Sequence, residues 1–146
     1  MKKKVFFAGH RDDWRNIGVA EKLKPILVEL IREGFTEFYC GCRGDFDQTC
    51  IQEITQLKKE YPSIKLIKVL ASYEPQKTEL PPCFDGTICP STEEYHVKQQ
   101  IIRANRSMVD YCDVLVCHVT ETYKSGAYRT LRYAQQVGKR IINISD

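Results

Sequence analysis

The chain reads as a single α/β domain: a doubly wound, Rossmann-like parallel sheet of about five strands, order 3-2-1-4-5, with helices on both faces. Three observations predict it. Short apolar runs alternate five times with stretches of helical periodicity, and strands that alternate with helices give a parallel sheet with right-handed crossovers. The runs are apolar at nearly every position instead of every second one, as strands covered on both faces require. Glycine-bearing polar turns follow three of the runs, at the strand ends where open α/β sheets bind ligands.

The first run is Val5, Phe6, Phe7 and Ala8, the central strand in this order. Gly9, His10 and Arg11 follow, with Asp12 and Asp13 behind them. A glycine allows close backbone approach, and an Arg can grip phosphate or carboxylate with two bonds. The same residues also suit a tight turn with solvated His and Arg. Asn16 caps a helix reaching Arg32, with Ile17, Ala20, Leu23, Leu27, Leu30 and Ile31 near one stripe. Pro25 predicts a kink or a restart, and Gly34 a left-handed cap.

A second strand spans residues 36–40, and the turn GCRGDFD (41–47) opens a helix over residues 46–60 that Tyr61-Pro62 stops. Residues 64–70 (IKLIKVL) form the third strand. Residues 71–90 hold four prolines, two cysteines and little periodicity; an irregular loop of that length is functional or mobile in most domains. Ser91 with Glu94 makes a capping box for a helix to Tyr111, with Val97, Ile101, Ala104, Met108 and Cys112 at core spacing. The fourth strand is residues 113–117. A polar turn through Ser125 and Gly126 leads to a helix over residues 127–137, capped by Gly138, and residues 140–144 form the last strand.

With 146 residues, 42% hydrophobic and 28% charged, the composition is that of a globular protein. The net charge of +3 argues against a nucleic-acid partner, which calls for a more basic domain. No apolar run approaches membrane-spanning length and no signal-peptide core follows the first lysines, so the expectation is a cytoplasmic protein with no membrane partner. Seven cysteines, at 40, 42, 50, 83, 89, 112 and 117, form no CxxC pair and are odd in number. Cys40 and Cys42 would share a strand face, Cys83 and Cys89 share a loop, and Cys112 and Cys117 bracket an apolar strand, where a thiol acts as a small hydrophobe. The expectation is reduced, structural thiols and no metal. His96 and His118 lack a partner pattern and read as structural.

Chemistry would sit where the turns 9–11, 41–47 and 123–126 meet. The second and third open helices, whose unpaired N–H groups and partial positive charge suit an anion. Arg43 adds charge. Asp45 or Asp47 would accept bonds from a ribose, although Asp45 equally suits a helix N-cap. Arg103 and Arg106 belong either to this rim or to the wet face of their helix. There is no GxGxxG and no GxxxxGK[ST].

GHR after strand one, GCRGDFD after strand two, RANRSMVDYCDVLVCHV, and YKSGAYRTLRYAQQVGKRIINI resemble the SLOG superfamily. That Rossmann-like group holds the cytokinin-activating LOG phosphoribohydrolases and the DNA-processing protein A fold. The likeness is greatest to its small, largely uncharacterised bacterial and phage members, and it covers all but residues 71–90. It implies a nucleotide or nucleotide-derived ligand at the rim. Gly9 and Arg11 match the first turn, Gly41, Gly44 and Asp47 the second, and Ser125, Gly126 and Thr130 the phosphate-binding turn. Arg103 and Asn105 fall near an Arg-Asn pair of the small members, separated here by Ala104. LOG hydrolases carry PGGxGTxxE at the last turn, with its Glu in the catalytic machinery. Aligning that Thr on Thr130 places Tyr133 at the Glu, and a phenol of pKa about 10 cannot stand in for an ionised carboxylate. Arg129 replaces a glycine and either adds a phosphate contact or fills the pocket.

The first reading is therefore nucleotide binding or sensing, with no cofactor required and no residue assigned to catalysis. The second is an N-glycosidic-bond enzyme, phosphoribohydrolase or deoxyribosyltransferase-like, with Asp45, Asp47, Asp85 and Glu121 as candidate carboxylates. A DNA-associated or protein-partner module rests on fold analogy alone. Relatives commonly pair, so a homo-oligomer is compatible with the resemblance.

Overall fold

The computed structural model describes residues 3–70, 80–90, 97–120 and 124–145, apart from the side chains of 97 and 98. The Ser91–Glu94 capping box, His96 and Glu121 lie outside them. Eleven elements follow in order: β1 (Lys3–Gly9), a 3-10 turn (Asp13–Asn16), α1 (Val19–Arg32), β2 (Phe35–Cys40), α2 (Asp45–Leu57), β3 (Lys65–Val69), β4 (Gly86–Ile88), α3 (Val97–Tyr111), β5 (Val114–His118), α4 (Gly126–Gln136) and β6 (Arg140–Asn143). All strand pairings are parallel, in the order β4-β3-β2-β1-β5-β6.

The side chains of β1 show why the sheet is covered twice. Val5 and Phe7 point into a core shared with Leu23, Leu27 and Leu30 of α1 and Phe46, Cys50 and Ile54 of α2. Phe6 and Ala8 point the other way, into a core with Met108, Val109 and Cys112 of α3 and Leu131 and Ala134 of α4. Alternate residues of a strand face opposite sides, so an unbroken apolar run feeds two cores at once. Each fully buried Leu or Phe contributes about 1.5–3 kcal/mol. Cys112 and Cys117 are buried in the second core, as their bracketing of an apolar strand predicts.

Three expectations need correction. The sheet has six strands, because residues 86–88 leave the irregular segment and pair with β3 at the edge. A strand of three residues is too short to show a period, and the prolines around it hid it. The five expected strands keep their order as β3-β2-β1-β5-β6. The first helix begins at Val19, not Asn16: Gly18 is its N-cap at φ +76°, and Asn16 ends the 3-10 turn. Ile17, placed on the core stripe, is 83% exposed. Finally, α1 runs unbroken through Pro25. Pro25 and Glu21 both lie on the exposed face, so the carbonyl left without an amide partner is solvated and the usual penalty shrinks.

Candidate functional site

The site begins where the turn after β1 meets the start of α2. Arg11 O accepts from Asp45 N at 3.1 Å and His10 O from Phe46 N at 3.2 Å. Both contacts demand glycine. A Cβ on Gly9 would stand 2.2 Å from the Phe46 ring, and one on Gly44 would stand 2.5 Å from Arg11 Cα. These two glycines are therefore explained by close packing of one turn on another. The bonds also consume two amides of the first turn of α2, those of Asp45 and Phe46, which are therefore not open to an anion. Asp45 is not its N-cap; Gly44 is, and the Asp45 carboxylate lies in the first turn, where the helix dipole favours it.

The start of α4 is different. Ser125 is its N-cap, and Ser125 Oγ accepts from Tyr128 N at 3.2 Å. The amides of Gly126 and Ala127 have no hydrogen-bond partner among the described residues, and both residues line the crevice. A Cβ on Gly126 would meet nothing within 4 Å. Here the helix presents open donors to open space.

His10 fixes that geometry from beneath. It is 1% exposed, and its Nε2 accepts from Thr120 N at 3.1 Å. A backbone amide can only donate, so Nε2 carries no proton and the neutral ring holds its hydrogen on Nδ1, which lies 3.5 Å from Ser125 Oγ. Burial lowers the His10 pKa, and the nearby His118 and Arg15 lower it further, against a smaller raising effect of Asp12. His118 Nε2 donates to Arg15 O at 2.6 Å, and its Nδ1 meets Ser145 Oγ at 2.9 Å. His118 thus ties the turn after β1 to the chain's last described residue.

The crevice at the carboxyl ends of the strands has a volume of about 340 Å³, at the lower end for small-molecule sites. It gathers Gly9 and Arg11 from the first turn, Gly41, Arg43, Gly44 and Asp47 from the second, Asn105 from α3, and Ser125 and Gly126 from α4. His10, Asp45, Arg103, Arg129 and Thr130 do not line it. Arg103 lies with Arg106, Ser107 and Asp110 along a separate groove. It is two residues from Asn105, and residues at that spacing do not share a helix face. Arg129 is exposed on α4. Thr130 is buried and donates to Gly126 O at 3.1 Å, a bond internal to the helix. Tyr133 donates to Asp110 Oδ1 at 2.8 Å, outside the crevice lining. Reasoning from sequence missed Asp12 and Ile101, which line the crevice; Ile101 stands one turn before Asn105 and shares its face.

Arg11 and Arg43 bring two positive charges to a lining that also holds Asp12 and Asp47, and both oppose the cost of burying Asp47. Asp47 Oδ2 accepts from Arg43 N at 3.0 Å, and Cys40 Sγ donates to Oδ1 at 3.6 Å. Burial nevertheless wins and holds the Asp47 carboxyl above the usual range. Asp85 lies elsewhere, bonded to Lys58 Nζ at 2.6 Å and Leu66 N at 2.8 Å. Among the described residues, no group of three or more His, Cys, Asp or Glu is placed to hold a metal ion, and no helix is long and apolar enough to cross a membrane.

These elements define a Rossmann-like α/β fold with a polar crevice beyond the central strands. Solved structures that share it include the following two. DNA processing protein A (DprA) from Streptococcus pneumoniae superposes with a TM-score of 0.66 at 15% identity, over 96% of this chain and 49% of DprA. The molybdenum cofactor carrier protein MCP from Chlamydomonas reinhardtii superposes with a TM-score of 0.59 at 13% identity, over 97% of this chain and 75% of MCP. The chain thus spans about half the length of DprA. At such identities the likeness is one of fold. No protein-family model and no curated protein matches the sequence.

Proposed function

We propose that the protein binds a nucleotide or nucleotide-derived small molecule in this crevice, with a phosphate on the first turn of α4, as the resemblance to the SLOG superfamily implies. One observation carries the reading: the amides of Gly126 and Ala127, without a partner among the described residues, open into a cavity also lined by Arg11. Unpaired helix amides and a guanidinium together form an anion site. Asp12 and Asp47, in the same lining, are acceptors for sugar hydroxyls. The two structural neighbours, named for DNA processing and for carrying a molybdenum cofactor, agree with ligand binding on this fold.

The test is a thermal-shift panel of nucleoside mono-, di- and triphosphates, cyclic nucleotides and ADP-ribose. A ligand at a hundred times its dissociation constant stabilises by about 2.7 kcal/mol. The proposal expects such a shift from at least one member, reduced in Arg11→Gln. A flat response to the whole panel defeats it.

A second reading, hydrolysis of an N-glycosidic bond, is favoured by Asp47. Of the described candidates Asp45, Asp47 and Asp85, it alone lines the crevice, and its carboxyl is held above the usual range, as a general acid requires. Free base released from a bound nucleotide by the wild type, and lost in Asp47→Asn, would establish it. Binding without release leaves the first reading standing.

A further inference from the structure

The lining of the crevice is divided by charge. Its charged side chains are Arg11, Asp12, Arg43 and Asp47, all from the turns after β1 and β2 and the first turn of α2. From α3 and α4 the lining receives no charge. On that side it is built from Ile101 and Ala127, beside Phe6 and Ala8 of β1; Phe6, Ala8 and Ala127 belong to the second core. Two side chains there carry polar atoms. One is Ser125, which caps α4; the other is Asn105.

The fold gives no reason for an asparagine at 105. The residue lies in the interior of α3, where asparagine is less favourable than alanine because its amide competes for backbone bonds in other conformations. Its half-buried side chain makes no hydrogen bond among the described residues that would offset this. The packing of this stretch of α3 comes from its neighbours Ala104 and Met108, both fully buried. Two N–H donors and a carbonyl acceptor are thus left for whatever enters the crevice. An apolar pocket with a single convergent amide is the setting that small-molecule sites give to a neutral ring. A carboxamide meets with two bonds an edge on which donor and acceptor adjoin, as asparagine does on adenine.

We propose that Asn105 is the specificity-determining residue of the crevice: the ligand's base lies on the α3 side against Ile101, its edge bonded to the Asn105 carboxamide, while the phosphate sits at Gly126 and Ala127. This rests on the nucleotide reading above and sharpens it. The ligand class becomes phosphate esters of planar heterocycles whose edge sets a hydrogen-bond donor beside an acceptor, and the protein discriminates among bases.

Ribose 5-phosphate and the 5′-monophosphates of adenosine, guanosine, cytidine and uridine serve as probes, with affinities measured by calorimetry. In the wild type the best nucleotide is expected to bind tighter than ribose 5-phosphate. Best and worst nucleotides should differ by about 5- to 150-fold, the discrimination of a two-bond pair between an amide and a base. Asn105→Leu keeps the bulk of the side chain, collapses this spread and leaves the affinity for ribose 5-phosphate as it is. Asn105→Asp exchanges the two donors for an acceptor and changes which base is preferred. Circular dichroism melts check that both variants fold. Four nucleotides of equal affinity in the wild type, an unchanged spread in Asn105→Leu, a matching loss of ribose 5-phosphate in that variant, or an unaltered order of bases in Asn105→Asp overturns the inference and leaves the nucleotide reading in place. If none of the five probes binds the wild type, the assignment of Asn105 falls. If the thermal-shift panel is flat as well, the nucleotide reading falls with it.

Discussion

Substituting Gly126 by alanine separates a glycine kept for the fold from one kept for a ligand. Gly126 is the first residue of α4, and its φ lies outside the left-handed region. A Cβ there would meet nothing within 4 Å, so neither conformation nor packing requires glycine. Helix propensity favours alanine by up to about 1 kcal/mol in a helix interior and by less at the first position, so Gly126→Ala should be as stable as wild type or slightly more so. In the crevice the new methyl stands among the donors proposed to hold phosphate. Overpacking a well-fitted site costs about 1–3 kcal/mol, which is about 5- to 150-fold in affinity. The assay pairs urea denaturation of the free protein with calorimetric titration of 5′-AMP. A variant that loses 1 kcal/mol or more of stability would show a structural glycine, and one that binds 5′-AMP unchanged would put the phosphate elsewhere.

Gly9→Ala should behave oppositely: its Cβ would fall 2.2 Å from the Phe46 ring, so urea denaturation should show a loss of about 1–3 kcal/mol. Thr130→Val removes a hydroxyl bonded only within α4; it should cost about 0.5–1.5 kcal/mol and leave 5′-AMP affinity as it is. His10 makes stability depend on pH. Its folded pKa lies below the ordinary 6.5, so under pH 6.5 the unfolded chain binds a proton that the native ring refuses. Its contribution is complete above pH 6.5 and declines as the pH falls toward the folded value. Urea midpoints at pH 7.5 and 5.5 should therefore differ by less in His10→Asn than in wild type, and an unchanged difference would assign the slope to other groups.

The central strands were legible because β1 and β5 are buried on both faces, and an unbroken run such as VFFA or VLVC leaves few alternatives. β4 was not, since three residues held by Leu66, Leu70 and the β3 ladder depend on partners far away in sequence. The crevice residues of turns were readable from position alone: Gly9, Arg11, Gly41, Arg43, Asp47, Ser125 and Gly126 follow strand ends or open helices. What sequence could not separate was the purpose of each glycine. Gly9 and Gly44 serve the contact between two turns, while Gly126 opens a space, and only neighbouring atoms tell them apart. The closed amides of α2 and the open amides of α4 differ likewise by a tertiary contact, the carbonyls of His10 and Arg11. Helix phase does separate Arg103 from Asn105: two residues apart on α3, they cannot both face the crevice.

The account turns on the first turn of α4, and the most direct measurement is an amide-resolved NMR titration of the protein with 5′-AMP. Donation of the Gly126 and Ala127 amides to a phosphate predicts large downfield shifts of those two resonances, with Asp45 and Phe46, already bonded to the first turn, moving little. Shifts concentrated at Asp45 and Phe46, or along the Arg103–Arg106 groove with Gly126 and Ala127 unmoved, would contradict it.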